Sequence, residues 1–409
     1  DSNTLTRCTI KTNTNSQWDD YIGIYINGSN TGTWWGGDNG NYNLISGNTV
    51  IGGYFGIKLY GDWGLRNLGN VISNNKIQDF HVYGIYTYGN DELLISKNDI
   101  SRPTRTWVDD WSNYGIYIST GVDVVVEKNR IHNMYDGLAS ASFADTYGIY
   151  ISTDGNSPAD PNFANNNAIY NITNTNGWVT GISCSGWWFW HFYHNTIVLD
   201  DAAATGGETY GLNVAGNLAN TVKNNIVYIT RGGTGAKYAL YYPFLDEPVS
   251  DNNVVFVNSA GGSNYIGNFN GTDYATFAGW QAANGGSFDQ NSLNVDPVLA
   301  NPATGNLYPN NTSIAAVGTG VGVTTDIVDS TRSANFPTPG CYEVIPTTGI
   351  DVGISGMVAP ANKSCYGPNE TVTVSIKNYS LSAHDFVANP VTVNVAVTGP
   401  NATTFTPVT

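Results

Sequence analysis

Seven basic side chains stand close together in a chain that has only 16 Lys plus Arg and 5 His among its 409 residues. Lys97, Lys128 and Arg130 flank Asn98 and Asn129 in two matching stretches, and Asp99 holds the place that Arg130 holds in the second. Lys76 and His194 occupy related positions, and Arg102 and Arg105 follow closely in the chain. A base that removes the proton beside a uronate carboxylate, and a cation that neutralises that carboxylate, are what eliminative cleavage of an acidic polysaccharide needs. The plainer reading outweighs it: Asp99 and Arg130 make an exposed cross-strand pair worth about 0.2–1 kcal/mol. Binding of an acidic glycan without cleavage stands between the two.

Other chemistries find less support. A glycoside hydrolase needs carboxylates facing each other across a sugar. Neither of the Asp doublets Asp109-Asp110 and Asp200-Asp201 sits in the Asn-Thr-Asp, His-Gly and Arg-Ile-Lys set of polygalacturonases. Asp154, Asn156 and Asp160 could ligate calcium, but they lack the spacing of a known calcium loop. No cofactor is otherwise implied. The tryptophans are more suggestive, since all 11 fall between Trp18 and Trp280. Trp34, Trp35, Trp63, Trp107 and Trp111 lie in segments that read as loops, where exposed indoles can stack on the apolar faces of sugar rings. The competing reading is packing of long loops against the protein wall.

The elements that carry these residues repeat. An Asn two residues before a β-branched residue recurs at Asn48, Asn75, Asn98, Asn129, Asn167, Asn195, Asn225 and Asn253. Upstream of most of them stands an aromatic-Gly-Ile unit, as in Tyr83-Gly84-Ile85, Tyr114-Gly115-Ile116 and Tyr147-Gly148-Ile149. The distance from this Gly (Ala239 in one repeat) to the Asn is 14 residues in five cases and 19 in two. A period of roughly 29 residues without amphipathic helix is a solenoid signature. Short alternating strands stacked this way form a parallel β-helix of about nine coils. Ile85, Ile116, Ile149, Ile182, Leu212 and Leu240 then form one inward column, and each repeated Asn a corner bonded to its neighbours above and below. The long insertions are expected to gather on one side.

Past about residue 258 the period fades into Phe277-Ala278-Gly279-Trp280-Gln281, Val295-Asp296-Pro297-Val298, Ser313-Ile314-Ala315, Asp326, Arg332 and Gly340-Cys341-Tyr342-Glu343. This series resembles the C-terminal cap of right-handed β-helix regions in secreted surface proteins of Bacteroidota, with Cys341 where Ala is usual. Beyond the linker Ile345–Gly349, Thr371–Ile376 and Val391–Val397 alternate like the opening strands of an immunoglobulin-like adhesin repeat. The chain thus reads as all-β: β-helix coils over 1–258, a cap over 259–345, and a partial immunoglobulin-like sandwich over 346–409. The resemblance implies an extracellular, cell-surface adhesin with type IX export and gliding motility among its associations, and export and anchoring machinery among its partners. Such β-helices also include uronan lyases, so the fold leaves activity open.

Composition narrows the partners. A net charge of −16 argues against nucleic acid, and no apolar run approaches the roughly 18 residues that span a membrane. Both ends read as cuts within a longer protein. Four cysteines are too few for a disulfide framework. Cys8 and Cys184 read as buried thiols, and Cys341 with Cys365 could clamp the junction between the two domains. The expected role is non-catalytic recognition of polysaccharide. A uronate lyase at Lys97, Lys128 and Arg130 is the alternative, and a structural spacer the third reading.

Overall fold

The computed structural model describes residues 2–28, 32, 34–37, 40–106, 112–137, 144–155, 157–186, 188–215, 219–245, 248–344, 352–361, 370–378, 384–397 and 403–404. They fall into two compact units, Asp1–Val344 and Ile345–Thr409. The first is a right-handed parallel β-helix. Three sheets wrap it: sheet 1 begins with Thr4–Thr6, sheet 2 with Thr9–Lys11 and sheet 3 with Ile22–Asn27. Sheets 1 and 2 hold nine strands each, and sheet 3 adds an antiparallel tenth, Thr272–Tyr274. Each strand pairs with the equivalent strand one coil away, so the fold satisfies its backbone groups between coils.

Register explains the period. Ile57, Ile85, Ile116, Ile149, Ile182, Leu212 and Leu240 are partners in succession along sheet 3. All are fully buried. Trp190 and Phe192, which follow Asn162 and Ala164 in register, fill the same core from sheet 1. Cys184 is buried as expected, whereas Cys8, in the first coil with no strand stacked on its outer side among the described residues, is only partly covered.

The corner between sheets 1 and 2 is the tightest. There the residue before each repeated Asn adopts a left-handed conformation: φ is +56° at Lys97, Lys128 and His194, and +55° to +59° at Asn74, Asn166, Asn224 and Asn252. The next residue, the Asn, turns its amide along the axis. Asn98 Nδ2 donates to Asn129 Oδ1 at 3.0 Å and Asn129 Nδ2 to Asn167 Oδ1 at 3.0 Å, and the ladder continues to Asn253. The second amide hydrogen goes inward, as from Asn129 to the Ile95 carbonyl at 2.9 Å. At the far end Asp289, fully buried, closes the ladder by accepting from Asn253 Nδ2 at 2.9 Å and from Trp280 Nε1 at 2.8 Å.

The insertions do not all gather on one side. The segments after Arg102 and after Met134 leave the corner between sheets 2 and 3, but Thr153–Pro161 leaves the corner between sheets 3 and 1. The end of the solenoid differs too. Asn264–Phe269, beyond residue 258, still adds a parallel strand to sheet 3. The helix Phe277–Ala282 then lays Trp280 across the last coil, stacked on Phe288 at 4.8 Å. From there the chain runs back as a strap over the outer face of sheet 2. Leu307, Ile327 and Cys341 are buried against Ala168, Tyr170 and Val198, and Ile314 against Ile226 and Val254. Arg332 and Glu343 form a buried ion pair at 2.9 Å inside the strap, and Asp326 accepts from the Val328, Ser330 and Glu343 amides.

The second unit holds two small antiparallel pairs, Val352–Ala359 with Thr373–Asn378 and Ala396–Val397 with Thr403–Thr404. They are compatible with a partial β-sandwich. Of the two strands read from sequence, the first is shifted to Thr373–Asn378 and the second reduced to Ala396–Val397. No helix is long and apolar enough to cross a membrane among the described residues.

Candidate functional site

The basic cluster is tied to the strap. Lys97 Nζ lies 2.7 Å and Lys128 Nζ 2.8 Å from the two carboxylate oxygens of Asp329, and Lys128 also donates to Thr325 Oγ1 at 2.7 Å. The paired ammonium groups hold the Asp329 carboxyl down at about 2. Arg130 donates to Tyr342 Oη at 2.9 Å and to the Gly305 carbonyl at 3.3 Å. Arg130 and Asp99 are neighbours across sheet 2, but the Asp99 carboxylate pairs instead with His132 Nε2 at 3.4 Å. Arg130 points away because the strap offers it two acceptors.

The other basic residues are also structural. His194 is fully buried between the Thr338 carbonyl and the Asn224 amide, 3.1 Å and 3.0 Å away, and burial pushes its pKa well below the usual imidazole range. Arg105 donates to the Ser16 and Asp79 carbonyls, and Arg102 lies over the Tyr135 ring at 4.8 Å. Lys76 remains exposed. Lys97, Lys128 and His194 recur at one spacing because each occupies the left-handed corner, whereas Lys76 and Arg130 open strands of sheet 2.

Sheet 3 carries a feature that the sequence reading passed over. Each repeated Gly points inward so closely that a β-carbon on Gly84 would lie 2.6 Å from Ile100 Cγ2 and 2.5 Å from the Gly115 carbonyl oxygen. Ile85 faces the core as well, so alternation breaks and Tyr83 and Tyr86 share the outer face, edge to face at 5.0 Å. Rings then stack coil upon coil. Phe55, Tyr83, Tyr114 and Tyr147 form one column with centroids 4.9, 5.1 and 5.0 Å apart, and Tyr86, Tyr117 and Tyr150 a second. Burial and neighbouring phenols raise Tyr114 to about 12, so its hydroxyl stays protonated at physiological pH. Because each ring face is covered by the next, the columns offer edges and hydroxyls to solvent rather than faces.

Open faces belong to tryptophans at the N-terminal end of the solenoid. Trp35 is 69% and Trp63 72% exposed, and Trp18, which the sequence reading did not single out, is 73% exposed. Trp34 is half-buried. Its ring covers the Lys58 ammonium at 3.4 Å, its Nε1 donates to Asp19 at 2.6 Å, and it meets Phe55, Tyr60 and Tyr86 edgewise. Burial lowers the Lys58 pKa to about 7. The Trp35 loop packs on the Trp63 loop, for a β-carbon on Gly36 would lie 2.3 Å from the Gly61 carbonyl oxygen. A shallow groove of about 380 Å³ runs beside Trp63 and Leu65, with the Arg66–Asp91 ion pair at 3.1 Å along it. Trp107 and Trp111 lie outside the described residues.

Two further expectations can be placed. Among the described residues no three His, Cys, Asp or Glu side chains converge as a metal would require. Asp154 accepts from the Trp188 amide, Asp160 faces Asp123, whose carboxyl burial and that neighbour raise to about 6, and Asn156 lies outside the described residues. Cys341 is a free, fully buried thiol whose amide donates to Thr196, and Cys365 lies outside the described residues.

Comparison with known proteins agrees with the coil geometry. No curated protein matches the chain. Its residues 1–197 match the family model of the right handed beta helix region, a fold that fits a carbohydrate-related or surface role in general.

Proposed function

We propose that this chain is a non-catalytic recognition module that holds polysaccharide against the tryptophan-bearing end of its β-helix. The observation that carries the reading is the division of labour among side chains. The basic groups suited to uronate cleavage are occupied by the strap, while Trp35 and Trp63 stand open, Trp63 beside a groove. Indole faces next to an ion pair give both the stacking surface and the hydroxyl partners that a sugar ring needs. A rigid solenoid followed by a small β-domain suits display outside a cell, as part of a larger bacterial surface protein.

The test compares the full chain with its Trp35→Ala/Trp63→Ala variant on a glycan array. Both side chains are more than two-thirds exposed, so the melting temperature should not move. At least tenfold weaker retention of the glycans that the parent holds is the expected result. Equal retention by the variant would remove the tryptophans from the account.

A further inference from the structure

A further groove opens on the β-helix, away from the tryptophans and the basic cluster. It measures about 660 Å³ and lies at the corner between sheets 2 and 3, bounded on one side by Ala303 of the strap. Asn133, Asp136, Asn171, Thr173, Thr175 and Asp200 line it, contributed by three successive coils. The Asp200-Asp201 doublet lies outside the residue set of polygalacturonases, and the chain alone does not show what it faces. The structure supplies Asp136 from a coil two turns away.

The lining is organised. Asp136 accepts from Thr173 Oγ1 at 3.0 Å and from the Asn133 amide. Asn171 is braced by the Ala303 carbonyl at 2.8 Å. Asp201 is committed to the backbone, with its two oxygens accepting from the Asn174 and Ala203 amides at 3.0 Å each. Asp136 is held instead by the Thr173 and Asn133 side chains, which line the groove with it, and Asp200 is the third carboxyl of the lining. Burial, and then the neighbouring Asp201 charge, keep Asp200 above the ordinary carboxylate range.

Two observations select the ligand. Among the described residues no Lys, Arg or His lines the groove, so an anionic sugar would meet carboxylates with no compensating charge there, in a chain whose net charge is already −16. The carboxylates also fail to converge on a point as a bound cation would need. What remains is an alternation of planar acceptors, amide donors and hydroxyls spread over a concave surface, which matches vicinal hydroxyl groups. We propose that this groove is a second binding site, specific for an uncharged saccharide. It rests on the reading of the protein as a glycan-recognising module, and it sets the class of glycan as neutral rather than uronate.

The test is calorimetric titration of the full chain with the β-1,4-linked hexasaccharides of glucose, mannose and xylose, and with hexagalacturonate. Two variants accompany the parent. Asp136→Ala/Asp200→Ala removes the acceptors, and Thr175→Trp fills the groove from its partly exposed rim, so a fold lost in one is checked by the other. Binding of at least one neutral probe, none of hexagalacturonate, and a tenfold or greater loss in both folded variants is the expected result. Neutral binding that survives both variants but falls in Trp35→Ala/Trp63→Ala would overturn the groove and leave the tryptophan reading standing. Preference for hexagalacturonate, or no binding of any neutral probe, would overturn the groove as well. Failure of the glycan array to retain any sugar would take down both readings.

Discussion

At the scale of single residues, the repeated Asn is the strongest structural commitment in the chain. Asn129 accepts from the Asn98 amide and backbone and donates to Asn167 and Ile95, all within a fully buried corner. Asn129→Ala would leave buried donors and acceptors unsatisfied on both neighbouring coils, at about 1–3 kcal/mol for each group. We expect a clear drop in the urea midpoint. A midpoint unchanged within error would show that the ladder is ornamental. This role was legible in sequence because a ladder demands the same residue in every coil. The left-handed place just before it was not, since Gly, Asn, Lys and His all occupy it.

His191 makes a pH prediction at the same scale. Burial, and then nearby Lys223, lower its folded pKa to about 4, against about 6.5 in an unfolded chain. As pH falls from about 6.5 to about 4 the unfolded chain takes up this proton before the folded one does. Stability therefore declines with acid across that window and levels off, as far as this group is concerned, below about 4. Thermal melts of His191→Gln should show a flatter profile between those limits than the parent. Profiles of equal slope would mean that the imidazole titrates alike in both states.

At the scale of elements, the strap was the least legible part of the fold. The residues that resemble a cap were visible, but their partners were not, because contacts such as Lys97 with Asp329 span 232 positions and carry no period. The columns of tyrosine were hidden for a different reason. Strict alternation puts Tyr83 and Ile85 on one face, and only the inward glycine between them turns the tyrosine out. Leu307 tests the strap directly, since it is fully buried against Tyr170 and Val198. Leu307→Ala should weaken docking by about 2–5 kcal/mol. Faster hydrogen exchange across residues 297–344, with amides of the coil interior unchanged, is the expected signature. Uniformly faster exchange throughout the coils would instead make strap and solenoid one cooperative unit.

At the scale of the whole molecule, the β-helix divides its surface by sheet. The later strands of sheet 2 are covered by the strap, sheet 3 carries stacked tyrosines, and Trp18, Trp35 and Trp63 stand open where the first coils begin. The solenoid was legible in sequence because every coil repeats the same packing problem. The groove at the corner of sheets 2 and 3 was not, because it needs side chains from separate coils brought together by stacking. A protein that holds polysaccharide without cutting it returns its ligand intact, and one measurement reads this directly. The full chain is incubated with immobilised neutral and uronate glycans, and the retained sugars are eluted and analysed by mass. The account predicts glycans retained at full length with unaltered ends. Shortened chains with unsaturated ends would contradict it and return Lys97, Lys128 and Arg130 to the centre of the chemistry.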